Sequence, residues 1–218
     1  MNSWSFEVLG FRVDVQPGFL MLLGVYLLFQ LQNQEPLTAI VSWAAVVFGS
    51  ILVHELGHAL VARRFGLRVG AIEIHGMGGN VTHGRTTPQR QLAISLAGPF
   101  AGLTLGALTM VFSNMIAVIA PQMLPSLSTV IGQVLWVNVL WSIVNLLPMF
   151  PLDGGHALKA ALTMTSGEAT AWKITGGVGL VLGIGAVLAG YQGFGGIFLI
   201  FIGGMVAWQN FQILQQVR

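Results

Sequence analysis

Apolar and polar residues alternate along the chain in long blocks, and these blocks predict helices that cross a membrane. Six apolar segments lie at residues 18–32, 38–62, 91–117, 128–147, 173–190 and 194–214. Because about 20 apolar residues cross the hydrocarbon of a bilayer as a helix, we expect six transmembrane helices. The fold class predicted from this pattern is an all-α integral membrane bundle.

The stretch from Val69 to Val81, between the second and third segments, has the pattern of strands rather than of a helix. Its sequence VGAIEIHGMGGNV alternates apolar and polar residues and then breaks at Gly78 and Gly79. Alternation with a period of two next to a glycine pair predicts a short β-hairpin. At membrane depth a hairpin is stable only where protein shields it or where it lines a wet cavity. We therefore expect a membrane-embedded hairpin between helices 2 and 3.

The composition agrees with a membrane protein and excludes several other classes. Hydrophobic residues make up 55% of the 218 positions, charged residues make up 7%, and the mean hydropathy is +0.80. A soluble globular chain carries about 25% charged residues. The nine basic residues are too dispersed to form a nucleic-acid-binding patch. Because the chain has no cysteine, it has no disulfide framework, and any metal must bind nitrogen and oxygen ligands.

The positions of the basic residues predict the orientation of the helices. They precede the first segment, follow the last, or lie between the second and third or the fourth and fifth. They are Arg12, Arg63, Arg64, Arg68, Arg85, Arg90, Lys159, Lys173 and Arg218. With six crossings all nine are on one side, and the positive-inside rule makes that side cytoplasmic. The residues before Phe19 lack the basic region and cleavage site of a signal peptide, so we expect a retained first helix and two cytoplasmic termini.

One motif on the second segment carries metal chemistry. His54-Glu55-Leu-Gly-His58 has the HExxH pattern. Histidines four residues apart lie on one face of a helix, so both imidazoles can bind one Zn²⁺ ion. Glu55 lies beside them and can act as the general base on a water molecule. A chance arrangement is disfavoured because ionisable groups inside an apolar helix are costly unless they are paired, hydrated or bound to metal.

The third protein ligand does not follow from the spacing. The candidates are Glu73, His75, His83, Asp153 and His156. The second and fourth segments run in the same direction, and the fourth ends in the sequence NLLPMFPLDGG. Its prolines and glycine pair break the helix and bring Asp153 to a depth similar to that of the histidines. The residues therefore favour a His₂Asp site, although Glu73 and His75 on the hairpin also remain candidates.

HELGH followed about ninety residues later by NLLPMFPLDGG resembles the site-2 protease family of intramembrane zinc metalloproteases. Between the two, Ser95-Leu-Ala-Gly98-Pro99 is similar to the third-helix signature of that family. The signature often continues with Asn where this chain has Gly102, a departure that leaves the metal ligands unchanged. The N-terminal sequence FEVLGFRVDVQPGFL is similar to the strand that leads into the first helix of the family.

The resemblance implies a role for each matching residue. His54, His58 and Asp153 match the ligands of one zinc ion per chain, and Glu55 matches the general base. Asn145 matches a residue that steadies the substrate or the developing oxyanion, although a helix-to-helix hydrogen bond would also explain it. The residues that match the substrate-binding hairpin, whose edge pairs with an extended substrate, are Gly78, Gly79 and Asn80.

The resemblance also implies a function and its setting. We expect regulated intramembrane proteolysis of single-pass transmembrane proteins or signal-peptide remnants, in the plasma membrane of a prokaryote, with the active site nearer the cytoplasm. The alternatives are a zinc-binding membrane transporter and another membrane zinc hydrolase. After six helices, residues 1–218 leave no room for a PDZ or cytoplasmic regulatory domain, so we expect a single transmembrane protease core. The sequence does not indicate the oligomeric state.

Overall fold

The computed structural model describes residues 3–34, 36–76 and 78–217. Arg218, one of the cations on which the orientation was predicted, lies outside these ranges. The chain is mostly helical and carries one small sheet near its N-terminus. The elements are β1 (Trp4–Val8), β2 (Phe11–Val15), α1 (Pro17–Gln32), α2 (Leu37–Arg64), β3 (Val69–His75), β4 (Gly78–His83), α3 (Pro88–Ile119), α4 (Leu124–Asn145), α5 (Asp153–Ser166), α6 (Glu168–Tyr191) and α7 (Gly196–Gln216).

The helices agree with the predicted transmembrane segments, with one difference in length. Among the residues that the structure describes, five helices are long and apolar enough to cross a membrane, namely α2, α3, α4, α6 and α7. The first predicted segment forms α1, an apolar helix of 16 residues that is shorter than those five. The chain is therefore a multi-pass membrane protein, and the crossing by α1 stays a prediction.

The helix α5 was not predicted from the sequence. Two prolines, Pro148 and Pro151, end α4 as expected, but the chain enters a new helix of 14 residues at Asp153. An acidic residue in the first turn of a helix is favourable because its charge complements the helix dipole. The segment between the fourth and fifth predicted crossings is thus largely helical rather than a loop.

The sheet has four strands in the order β1-β2-β3-β4. β1 pairs with β2 and β3 pairs with β4 in antiparallel register, whereas β2 and β3 are parallel. The expected single N-terminal strand is in fact a hairpin, because Leu9 and Gly10 both have positive φ angles, 52° and 75°. Two such central residues allow a tight turn whose twist matches that of the flanking strands.

The second hairpin is present, but its turn lies earlier than predicted. β3 ends at His75 and β4 begins at Gly78. Gly78 and Gly79, expected at the break, are the first two residues of β4, where they pair with His75 and Ile74. The position of this hairpin relative to the membrane stays a prediction.

One hydrophobic core joins the sheet to the second helix. Val13, Ile72 and Ile74 of β2 and β3 are fully buried, and they belong to a cluster with Ile51 and Ala59 of α2. Arg63 of α2 donates a hydrogen bond to the Leu9 carbonyl (2.8 Å) and lies over the ring of Phe11. The C-terminal half of α2 is therefore attached to the sheet through both apolar and polar contacts.

An ion pair orders the exposed side of the first hairpin. The Asp14 carboxylate accepts hydrogen bonds from Ser5 (2.6 Å) and Arg12 (2.8 Å). These two bonds, aided by the charge of Arg12, hold the pKa of Asp14 below its ordinary value. Because the carboxylate is at the surface, the pair contributes little to stability.

The chain divides into two compact units. The first comprises the chain up to Arg85 together with Ala97–Ser142, and the second comprises Thr86–Leu96 together with Ile143–Arg218. In the second unit the glycine-rich helix α6 packs closely on α7, since a Cβ atom at Gly183 would collide with the backbone of Gly203 and Ala207. The prediction of one transmembrane core spanning residues 1–218 stays a prediction.

Candidate metal centre

The two histidines of the HExxH motif lie together on one face of α2, as the spacing predicts. Their ring centroids are 4.9 Å apart. His54, Glu55 and His58 are 4%, 5% and 8% exposed, so all three ionisable groups of the motif are buried. Ionisable groups this deep in an apolar helix need specific partners, and a metal ion shared by the two imidazoles supplies one.

Glycines let α3 approach the histidine face of α2. At Gly57, inside the motif, a Cβ atom would be 2.6 Å from the carbonyl oxygen of Ala97 on α3. At Gly98 a Cβ atom would collide with the Nε2 atom of His58 and lie 2.8 Å from that of His54. The backbone of α3 therefore lies directly against the imidazole atoms that can bind metal. Because Gly98 has no side chain, the space beside these imidazole atoms stays open.

A third glycine brings the hairpin to Glu55. A Cβ atom at Gly79 of β4 would collide with the Cγ atom of Glu55 and lie 2.5 Å from its Oε1 atom. A Cβ atom at the neighbouring Gly78 would lie 3.5 Å from the Cζ2 atom of Trp141 on α4, which is an ordinary van der Waals contact. The carboxylate of the motif thus faces the backbone of β4, the strand that carries the predicted substrate-binding residues.

Asp153 is held by a compact turn that follows α4. The chain leaves α4 at Asn145 and starts α5 at Asp153. Hydrogen bonds from the Met149 nitrogen to the Leu147 carbonyl (2.8 Å) and from Leu152 to Met149 (3.0 Å) fold the turn on itself. A side chain at Gly154 would collide with the carbonyl oxygens of Leu146 and Leu147. The glycine pair is therefore what allows the turn to lie on the start of α5.

The structure brings His54, His58 and Asp153 together. One ligand atom from each residue lies within 4.8 Å of the other two, a spacing suited to a single ion with bonds of about 2.0–2.2 Å. Two imidazoles and one carboxylate are a donor set that Zn²⁺ accepts, with a fourth position left for water or substrate. The room left by Gly98 beside both Nε2 atoms agrees with such an ion.

The other candidates for the third ligand lie elsewhere. Within the described ranges, Glu73, His75, His83 and His156 are not part of a group of ligands that could hold a metal. Glu73 accepts a hydrogen bond from Gln16 (3.3 Å). The Nδ1 atom of His83 is 2.9 Å from the Gly84 carbonyl oxygen, and the ring of His156 contacts that of Phe150.

The geometry does not test the roles predicted for Asn145 and Asn80. Asn145 is the last residue of α4 and is half-buried. Asn80 is exposed on β4, opposite Glu73. Their assignment to oxyanion stabilisation and to substrate binding stays a prediction.

Asn210 lies on α7, is fully buried and was not predicted as a site residue from the sequence. Its amide nitrogen donates to the carbonyl oxygens of Phe150 and Val206, both at 2.8 Å. The signal available in the sequence was an amide residue within an apolar transmembrane segment, because such residues usually hydrogen-bond to another part of the chain. The spacing could not have identified the partner.

Comparison with known proteins supports the assignment of this centre. The model of peptidase family M50 matches residues 42–121 and 111–189. The putative zinc metalloprotease Rip3 of Mycobacterium tuberculosis is 32% identical over 92% of this chain and 55% of its own length. The zinc metalloprotease MJ0392 of Methanocaldococcus jannaschii is 27% identical over 85% of this chain and 52% of its own. The chain thus spans about half the length of these curated relatives.

A solved structure shares the fold. The site-2 protease from Methanocaldococcus jannaschii superposes with a TM-score of 0.70, at 24% identity, over 98% of this chain and 95% of the other. Together with the family model and the curated relatives, this shared fold confirms the resemblance noted from the two sequence motifs.

Proposed function

The chain belongs to peptidase family M50, and from that premise we propose that it is an intramembrane zinc metalloprotease. It hydrolyses peptide bonds within the transmembrane segments of membrane-tethered proteins. Single-pass proteins and remnants of signal peptides are the substrate class, since both present one apolar helix to the bilayer.

One observation supports this proposal above the others. The ligand atoms of His54, His58 and Asp153 lie within 4.8 Å of one another, and Glu55 follows His54 directly on the same helix. This is the combination that hydrolysis by a metal-activated water needs, namely three protein ligands and a carboxylate beside them.

Each residue has a distinct part in the proposed reaction. When bound, zinc would polarise the scissile carbonyl and lower the pKa of a water molecule to about 7. Glu55 accepts a proton from the attacking water and then donates that proton to the leaving amine. Asn145 donates a hydrogen bond from its side-chain amide to the developing oxyanion. His54, His58 and Asp153 hold the ion, and the helices exclude bulk water from the centre.

The substrate binds to the edge of the sheet in this proposal. β4 is a terminal strand in the order β1-β2-β3-β4, and Gly79 on it contacts the Glu55 carboxylate. A helical carbonyl is already hydrogen-bonded and shielded, so the substrate must unwind before hydrolysis. The unwound segment then adds to β4 as a further strand, with Gly78, Gly79 and Asn80 along its path.

The chain crosses the bilayer six times in this proposal, with both termini in the cytoplasm of a prokaryote. β2 precedes α1, β3 follows α2, and these two strands pair in parallel. They therefore lie on one side of the membrane, which requires an even number of crossings between them. The 28 residues of α2 reach about 42 Å, enough for one crossing. The parallel pairing therefore supports a second crossing by α1 in the opposite direction.

The decisive experiment compares Glu55→Gln with the unmodified chain. Both are reconstituted in liposomes with a transmembrane test substrate, and cleavage and bound zinc are measured. Glu55→Gln should keep zinc and lose at least about a hundredfold in cleavage rate, because general acid–base catalysis contributes about 10²–10⁴. Glu73→Gln, a matched change on the hairpin, should cleave normally.

Undiminished cleavage by Glu55→Gln would refute the proposed role of this residue. A transporter would behave differently in the same liposomes, since zinc flux would persist in Glu55→Gln without any cleavage by the unmodified chain. Cleavage that a chelator does not abolish would exclude the metal mechanism.

A further inference from the structure

We propose that Asn210 is a positioning residue that fixes the turn carrying Asp153. The inference rests on the proposed zinc site and extends it to a residue on α7 that belongs to no sequence motif described above. Asn210 acts through the backbone of Phe150, which lies three residues before Asp153 in the same turn.

The hydrogen bonds of Asn210 define which way its amide points. The Nδ2 atom donates to the carbonyl oxygen of Phe150 and to that of Val206, each at 2.8 Å. Because both neighbours are acceptors, this side of the amide must be the NH₂ group. The Oδ1 atom then faces α6 at Gly179, where a Cβ atom would collide with it. The missing side chain of Gly179 is therefore required for the amide to reach Phe150.

Phe150 is held on its other side by aromatic rings. Its own ring stacks on Trp172 of α6 at 5.1 Å and meets His156 of α5 edge-on at 4.9 Å between centroids. The residue is 3% exposed. The ring contacts fix the side chain of Phe150, while Asn210 fixes its carbonyl group, so the peptide unit before Pro151 is held at both ends.

The turn transmits this restraint to Asp153. The Leu152 nitrogen donates to Met149 (3.0 Å), and the nitrogens of Gly155 and His156 donate to Leu152 (3.0 and 3.3 Å). Residues 149 to 156 therefore form one hydrogen-bonded unit, and a shift of the Phe150 peptide would move the first turn of α5. A metal ligand displaced in this way binds less tightly, as when a residue supporting a ligand is lost, which costs about 10–100-fold in affinity.

Two substitutions test the restraint from opposite sides, each with a matched control. Asn210→Leu keeps the shape but removes the donor, and Gln209→Leu places the same residue at an exposed position next to it. Gly179→Ala pushes against the amide, whereas Gly177→Ala adds the same methyl group to α6 where nothing lies within 4 Å. The two glycine variants have the same change in helix propensity, so their difference isolates the contact with Asn210.

The readouts separate positioning from general stability. In the metal-free full chain in detergent, hydrogen exchange of peptides covering residues 146–156 should be at least about tenfold faster in Asn210→Leu and Gly179→Ala than in the controls. Zinc affinity, measured by competition with a chromogenic chelator, should fall by about tenfold or more. If Asn210→Leu does not fold, Gly179→Ala and its control decide the question.

The inference would be overturned if hydrogen exchange and zinc affinity in Asn210→Leu and Gly179→Ala were within twofold of the controls, even if the thermal midpoint fell. If the unmodified chain bound no zinc, the proposed function would fail instead. The exchange measurement would still decide whether Asn210 restrains the turn, so the two failures are distinguishable.

Discussion

The two sources of the proposed metal ligands are built in different ways. His54 and His58 lie four residues apart on one uninterrupted helix, and their relative position follows from the helical repeat. Asp153 lies at the start of α5, after a turn that separates it from α4. We refer to these regions as the histidine side and the aspartate side. The first depends on local geometry, and the second depends on contacts between residues distant in sequence.

The contacts around the two sides reflect this difference. On the histidine side, Gly57, Gly98 and Gly79 allow α3 and β4 to lie close to α2. The helical repeat of α2 itself orients the two rings. On the aspartate side, Gly154 allows the backbone of the turn to bend, and Asn210 of α7 holds the bent turn through a hydrogen bond. We therefore expect the histidine side to be sensitive to steric change and the aspartate side to loss of support.

Removing one proposed ligand should have the largest effect on zinc binding and cleavage, and this effect should be equal for the two sides. His58→Ala and Asp153→Asn should each weaken zinc binding by at least about a hundredfold and abolish cleavage, because a catalytic site needs three protein ligands. Bound zinc and cleavage of a transmembrane peptide are the measurements. Asp14→Asn makes the same change at a half-buried carboxylate of β2 and should keep both zinc binding and cleavage. Normal zinc binding by Asp153→Asn would show that the aspartate is not a ligand.

Adding one methyl group should separate the two sides. Gly98→Ala should lower zinc affinity by about tenfold or more with little change in thermal midpoint, because its Cβ meets the histidine rings. Gly154→Ala should lower both, since its Cβ meets the backbone of the turn and overpacking costs about 1–3 kcal/mol. Calorimetry and chelator competition measure the two quantities.

Gly49→Ala is the control for both glycine variants, since nothing lies within 4 Å of a Cβ at that position of α2. Equal loss of stability in Gly98→Ala and Gly154→Ala would remove the distinction between the two sides.

The smallest effect should come from a polar contact on the histidine side. Asn138 of α4 donates to Ser50 of α2 (2.9 Å), one turn before His54. Asn138→Leu should destabilise the chain by about 0.6 kcal/mol, as is typical for hydrogen bonds between membrane helices. Zinc affinity should stay within twofold, because α2 itself sets the spacing of the rings. A tenfold loss of affinity would mean that the histidine side also needs distant support.

The features that the sequence predicted well are those that repeat locally. The apolar blocks predicted the long helices, and the HExxH spacing predicted two imidazoles on one face of α2. The alternation from Val69 predicted the β-hairpin. In each case the period of the pattern matches the geometry of the element, so no knowledge of the rest of the chain was needed.

The features that the sequence did not predict depend on partners far along the chain. α5 was overlooked because the prolines before it signal only the end of α4. The second N-terminal strand was overlooked because Leu9 at positive φ is not a typical turn residue. The contact of Asn210 with Phe150 spans a large part of the sequence, and no periodicity indicates it. Asp153 was favoured as a ligand, but only the fold brings it to the histidines.

The parallel pairing of β2 with β3 has a consequence for biogenesis. In the proposed six-helix topology, Val13 cannot pair with Ile72 until both intervening helices have been synthesised and inserted, since pairs distant in sequence form late. During that interval the edge of β2 that later pairs with β3 is unpaired. The four-stranded sheet can then form only after correct insertion of α1 and α2. A pair of helices inserted with the wrong topology would leave β2 and β3 on opposite sides of the membrane.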